Sequence, residues 1–233
     1  MKRGNSSQKM DLLIFDLDGT LIDSKLDLAH SVNAARAHFG MPPLELDTIE
    51  AYVGNGAPVL MRRSMGPEAS DEMVEKSLAF FLTHYEEHKL DYTRAYSGIP
   101  EALEALRQDG VAMAVLTNKP VRISTRILEG LGLAKYFARV YGGNSFEQKK
   151  PNPIGVDTLL AELGIARERT MIVGDSAVDV RTARNAAVKV CGVTYGFQPE
   201  SFATDPPDII VDRPEELAEV VISERKTRGT INR

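Results

Sequence analysis

The chain has a single cysteine, Cys191, so no internal disulfide can brace the fold. That usage fits a reducing compartment. Long apolar runs are also missing, and none approaches the roughly 20 residues of a membrane-spanning helix. Met1–Lys9 is polar and lacks the apolar centre of a signal peptide or an anchor. Nor is there an excess of positive charge: 28 Lys and Arg face 33 Asp and Glu, a net charge of −5. A nucleic-acid partner is disfavoured, because such binding rests on neutralising phosphates with Lys and Arg. A small anionic substrate remains allowed, since it asks only for local positive charge. The expectation is a cytoplasmic protein, monomer or homodimer, that acts on a small metabolite without nucleic acid or membrane. Its 233 residues suffice for one sizeable domain, or a core with a smaller insert.

What is present begins with Leu12-Leu13-Ile14-Phe15, a short unbroken apolar run of the kind buried on both faces of a parallel sheet. Two carboxylates, Asp16 and Asp18, follow it, then Gly19 and Thr20. After this strand the pattern is helical. Leu28, Val32, Ala35 and Phe39 form one stripe, stopped by Gly40 and Pro42-Pro43. Asp47 and Glu50 have capping-box spacing. A glycine-bearing loop covers 52–56, and Ser70 is placed to cap a helix with the stripe Val74, Leu78, Phe81 and Tyr85. No strand is predicted between 25 and 90.

From Gly98 the texture alternates. Helices are predicted over 99–108, 121–128, 178–187 and 214–222, and strands over 111–116, 139–141, 171–173, 190–193 and 208–211. A further helix has Asn152 and Pro153 at its Ncap and N1 positions and closes at Gly164. Such alternation implies an α/β fold, with a mostly parallel, Rossmann-like sheet and helices on both faces. The helical block becomes an insert. The expected division is a core of 10–24 and 95–222, an α-helical cap of 25–94, and tails of 1–9 and 223–233.

Three later sites repeat the syntax of apolar strand followed by polar cluster, or stand beside one that does. Thr117-Asn118-Lys119 follows Val115-Leu116, and Gly174-Asp175-Ser176 with Asp179 follows Ile172-Val173. Lys149-Lys150-Pro151 opens a helix between them. Each alone is an ordinary turn, cap or surface lysine pair. Parallel strands would bring them to one rim, where ligands of open α/β sheets bind. The set then suits phosphoryl transfer through an aspartyl intermediate. Asp16 is the expected nucleophile and Asp18 the general acid and base. Mg²⁺ is expected on Asp16, Asp175 and Asp18, the last through its backbone carbonyl. Asp179 is expected to orient metal-bound water or Lys150. Thr117 and the Asn118 N–H would bind the phosphoryl group, and Lys150 would offset its charge. In the helical block, Asn55 and Arg62 are candidate substrate-binding residues. His84 and His88 are read as a solvated face, and Cys191 as a core thiol.

Asp16-Leu17-Asp18-Gly19-Thr20, Thr117-Asn118, Lys150-Pro151 and Gly174-Asp175 through Asp179 resemble the four motifs of the haloacid dehalogenase-like superfamily. The resemblance covers about residues 10–222. It implies a Rossmann-like core, Mg²⁺ dependence and a helical cap that opens and closes. The acid at position 18 sets the chain apart from the dehalogenating branch, and the block offers no Schiff-base lysine in a suggestive loop. Val53-Gly54-Asn55-Gly56 and Lys149-Lys150-Pro151-Asn152-Pro153 are similar to the 2-phosphoglycolate phosphatases of the superfamily, which implies 2-phosphoglycolate as substrate. The alternatives are sugar phosphate, muramic acid 6-phosphate or pyrophosphate phosphatases, a hexose-phosphate mutase, and a binding protein that kept the fold without the chemistry.

Overall fold

A computed structural model describes residues 10–226. Residues 1–9 and 227–233, expected as tails, lie outside them.

The apolar run Leu12–Phe15 forms β1, the centre of a six-stranded sheet in which every pairing is parallel. The other strands are β4 (Ala112–Leu116), β5 (Arg139–Tyr141), β6 (Thr170–Gly174), β7 (Lys189–Val193) and β8 (Ile209–Val211), in the order β5-β4-β1-β6-β7-β8. All four β1 side chains are buried, as expected of a strand covered on both faces. Leu13 and Phe15 share a core with helices α5 (Ile99–Gln108), α6 (Val121–Gly130) and α9 (Pro214–Lys226). Leu12 and Ile14 face the opposite core, with α7 (Ile154–Leu163) and α8 (Ala177–Asn185). α9 continues four residues beyond the expected end at Ile222.

The sheet grows away from β1 in both directions, through β4 on one side and β6 on the other. A crevice therefore opens at the carboxyl ends of these three strands. Register fixes what stands there. Phe15 pairs with both Val115 and Val173, so Asp16 comes one residue past this row, and Thr117 and Asp175 come two past it.

Between β1 and β4 the chain leaves the core and returns through a two-stranded antiparallel ribbon, β2 (Ile22–Asp23) and β3 (Arg94–Ala95). Two-residue strands carry no periodicity to read, and the sequence does not announce this ribbon. The insert it delimits is helical, with α1 (Lys25–His38), α2 (Leu46–Glu50), α3 (Ala57–Met65) and α4 (Asp71–His88). α4 buries Val74, Phe81 and Tyr85 while Leu78 is half-buried, and the Ser70 hydroxyl accepts from the Met73 N–H at 3.2 Å. Buried Asp27 ties α1 to the return segment, its carboxylate accepting from the Thr93 N–H at 2.8 Å and hydroxyl at 2.7 Å.

Two expected caps differ. α2 begins two residues earlier than the Asp47–Glu50 spacing implies, placing Asp47 inside the first turn with no side-chain cap. α7 begins at Ile154 with Pro153 before it. Asn152 contributes through its side-chain oxygen, which accepts from the Ile154 N–H at 3.0 Å. Gly164 closes that helix at φ +66°, a conformation that favours glycine. Among the described residues no helix is long and apolar enough to cross a membrane.

Candidate active site

The three strand ends and the cap enclose a cavity of about 50 Å³. The core lines it with Asp16, Asp18, Thr117, Asn118, Lys119 and Asp175; the cap's contribution is mostly apolar and includes Leu28, Val53, Leu60 and Phe81.

Asp16 is held by its own backbone and by a lysine. Its Oδ1 accepts from the Leu17 N–H at 2.7 Å and lies 3.0 Å from Lys150 Nζ, while Oδ2 takes no hydrogen bond among the described residues. Lys150 reaches Asp16 from the start of the segment before α7 and also binds Asp179 Oδ1 at 2.7 Å. The Asp179 Oδ2 accepts from the Ser176 N–H and hydroxyl, forming the capping box that starts α8. One side chain therefore starts a helix and fixes the buried lysine. This is the Lys150 half of the expectation for Asp179.

Asp175 Oδ2 accepts from the Phe197 N–H at 2.7 Å, in the loop after β7. Gly19 allows its close approach: with φ +79°, a Cβ there would stand 2.1 Å from Asp175 Oδ2. This is a position where only glycine serves both backbone and contact.

Carboxylate oxygens of Asp16, Asp175 and Asp179 lie within 4.8 Å of one another. Burial pushes the Asp16 carboxyl up to about 6; Lys150 opposes this and Asp179 adds to it. Asp175 is raised well above the ordinary carboxylate range by burial, then by Asp179 and Asp16. Burial works against the Lys150 ammonium, but Asp16 and Asp179 outweigh it and raise its pKa. One ammonium thus faces three carboxylates, and the cluster remains short of positive charge. An all-oxygen donor set of this kind fits a hard divalent cation such as Mg²⁺.

The expected metal contact of Asp18 is its backbone carbonyl, and its side chain is engaged elsewhere. Its carboxylate is not one of the three clustered groups. Oδ1 and Oδ2 lie 2.8 and 3.0 Å from Lys119 Nζ, and Oδ1 accepts from the Ser24 hydroxyl at 2.5 Å. The same ammonium donates to Tyr85 Oη, from cap helix α4, at 2.7 Å and lies 4.5 Å from the centre of its ring. Burial pushes the Tyr85 phenol up to about 12, with Lys119 opposing. The Lys119 ammonium is disfavoured by burial yet held charged by Asp18 and Tyr85, and its pKa rises.

Sequence reasoning left Lys119 and Tyr85 without roles. Helical spacing identifies Tyr85 only as buried, and Lys119 reads as part of a turn. Gln198 was also missed: its amide donates to the carbonyls of Glu50, Ala51 and Val53, at 3.4, 3.3 and 3.0 Å. Asn118 seats the same cap loop by donating to the Gly54 carbonyl at 2.9 Å.

Neither cap candidate lines the cavity. Gly54 and Gly56, at φ +101° and +83°, turn the loop so that they border it, while the Asn55 carbonyl accepts from Lys149 Nζ at 2.7 Å. α3 buries Ala57, Leu60, Met61, Ser64 and Met65, which places Arg62 off the inward stripe. Its guanidinium donates to the Ala69 carbonyl at 2.9 Å and pairs with exposed Asp71.

Comparison with known proteins agrees with this geometry. A sequence model described as haloacid dehalogenase-like hydrolase matches residues 13–193. A phosphoglycolate phosphatase of Vibrio parahaemolyticus is 37% identical over 223 residues, covering 93% of this chain and 98% of the relative. Phosphoglycolate phosphatase 1 of Pseudomonas aeruginosa is 36% identical over 213 residues, with 88% and 78% covered. The crystal structure of a "predicted phosphoglycolate phosphatase" from Haemophilus somnus superposes with a TM-score of 0.86 at 32% identity, covering 91% of this chain and 98% of that one.

Proposed function

The chain belongs to the haloacid dehalogenase-like hydrolases, and we propose that within this family it hydrolyses a small phosphate monoester, 2-phosphoglycolate, to glycolate and phosphate with Mg²⁺. The observation that carries the reading is the separation of two aspartates at one strand end. Asp16 sits in a carboxylate cluster suited to a cation, and Asp18 stands apart from it on the same cavity.

Asp16 and Asp175, with the backbone carbonyl of Asp18, would hold the cation, which when bound offsets the charge of the phosphoryl group and of the attacking carboxylate, while Asp179, bonded at both oxygens, keeps Lys150 in place. Asp16 attacks phosphorus, the ester P–O bond breaks, and an acyl phosphate forms on the side chain. Asp18, as general acid, gives a proton to the departing alkoxide. As a carboxylate it then takes a proton from the water that attacks the phosphorylated Asp16, so phosphate leaves and both residues return to their starting forms. Lys150 holds Asp16 in place and adds positive charge at the reacting end. Thr117 and the Asn118 N–H donate to the phosphoryl oxygens. The choice of 2-phosphoglycolate rests on the similarity to phosphoglycolate phosphatases over nearly the whole chain.

The test is a kinetic panel of 2-phosphoglycolate, sugar phosphates, muramic acid 6-phosphate and pyrophosphate, run with Mg²⁺ and with EDTA. Mg²⁺-dependent phosphate release, abolished in Asp16→Asn and at least tenfold better with 2-phosphoglycolate, is expected. A smaller preference defeats the substrate assignment. Conversion of a sugar 1-phosphate to the 6-phosphate favours a mutase, and no Mg²⁺-dependent release defeats the enzyme reading.

A further inference from the structure

A leaving group that ends in a carboxylate brings a second anion into a site already rich in carboxylates. Among the described residues lining the cavity, Lys119 alone carries positive charge. The cap side chains that border it include Leu28, Val53, Ala57, Leu60, Phe81 and Leu82, none of which can answer a charge. Lys150 is committed to the attacked end, bound between Asp16 and Asp179. An anion buried against apolar walls without a cation is too costly to bind.

We propose that the Lys119 ammonium receives the carboxylate of the leaving group and so selects anionic esters over neutral ones; this rests on the phosphatase reading above. An ammonium has three N–H donors. Here they meet Asp18 Oδ1 and Oδ2 and Tyr85 Oη, all three acceptors belonging to the protein itself. Two of them belong to one carboxylate, which also accepts from Ser24. Asp18 must turn toward the ester oxygen to transfer its proton. That turn takes an acceptor away from a buried ammonium, and a substrate carboxylate replaces it. Tyr85 stays in place, bonded at 2.7 Å and with its ring 4.5 Å below the charge. The subsite is thus shared by core and cap and is complete only where α4 lies over β4.

The experiment compares 2-phosphoglycolate with ethyl phosphate, an ester of the same carbon count whose leaving group is neutral, in wild type and in Lys119→Met. Both rates should fall, because Asp18 loses its partner. The kcat/KM for 2-phosphoglycolate should fall about 10- to 100-fold further than that for ethyl phosphate, the range of a charge-assisted hydrogen bond lost in a buried site. Lys119→Gln keeps a donor for Asp18 and Tyr85, supports folding if the methionine variant is unstable, and should show the same selective loss. Equal losses for the two esters in the folded variant overturn the subsite and leave Lys119 as a residue that positions Asp18. If the wild type releases phosphate from neither ester, the phosphatase reading fails first and the subsite falls with it.

Discussion

Replacing Asp16 with asparagine should separate activity from stability, and in opposite directions. In the metal-free protein the Asp16 carboxyl titrates near about 6, against an ordinary value of 3.8. Between those pH values the native state keeps a proton that the unfolded chain has released. Stability therefore falls as pH rises through that window, by on the order of 3 kcal/mol for this one group. Asparagine has the same shape and does not titrate, so its variant lacks this loss. Near pH 4 the two proteins should be about equally stable. At pH 8 in EDTA, Asp16→Asn should melt about 6–12 °C above the wild type, using about 2–4 °C per kcal/mol for a chain of this size. Saturating Mg²⁺ should close most of the gap, since a ligand at a hundred times its Kd contributes about 2.7 kcal/mol and only the wild type keeps the complete cluster. Thermal melts at pH 4, 6 and 8, with EDTA and with Mg²⁺, provide the measurement. Asp175 also titrates in this cluster, so the quantity to follow is the difference between the two proteins. A difference that does not change with pH, or a variant that is the less stable protein at pH 8, refutes the reasoning.

Other outcomes follow from single contacts. Asp18→Asn should lower kcat by about 10²–10⁴-fold with little change in KM, because it removes proton transfer and leaves the cluster intact; steady-state kinetics decide. Gly19→Ala forces a Cβ to within 2.1 Å of Asp175 Oδ2 at positive φ. It should cost at least about 1–3 kcal/mol of stability and weaken Mg²⁺ binding, read by calorimetric titration. Gln198→Ala removes the amide that bonds three carbonyls of the cap. The KM for substrate should rise about fivefold, one hydrogen bond's worth, while the melting temperature of the core stays nearly unchanged. Arg62→Ala should leave kcat/KM within twofold, since its partners are Ala69 and exposed Asp71.

The central strands β1, β4 and β6 were legible because each is a short apolar run that ends in a polar cluster. A buried parallel strand leaves little else for such a run to be. Register then brings Asp16, Thr117 and Asp175 to one edge without further information. What escaped the sequence depends on long-range contacts. Lys119 gains its meaning from Asp18, 101 positions away, and Tyr85, 34 positions away. Gln198 acts on carbonyls about 145 positions earlier, and carbonyls leave no mark in a sequence. In the glycine loop, Asn55 is a candidate by its amide and its backbone, whereas the structure sets Gly54 and Gly56, at positive φ, against the cavity. For Arg62 the sequence offers a substrate-facing cation and a surface position side by side, and only the buried stripe of α3 separates them.

The ribbon at the base of the cap sets where the fold tolerates a change of length. Ile22 is paired with Ala95 and Asp23 with Arg94, so the outgoing and incoming chain stand side by side. Everything between them is, in effect, a cassette plugged into a two-pin socket. A change of length confined to that stretch leaves every rung of the six-stranded ladder in place, because no partner of the ladder lies inside it.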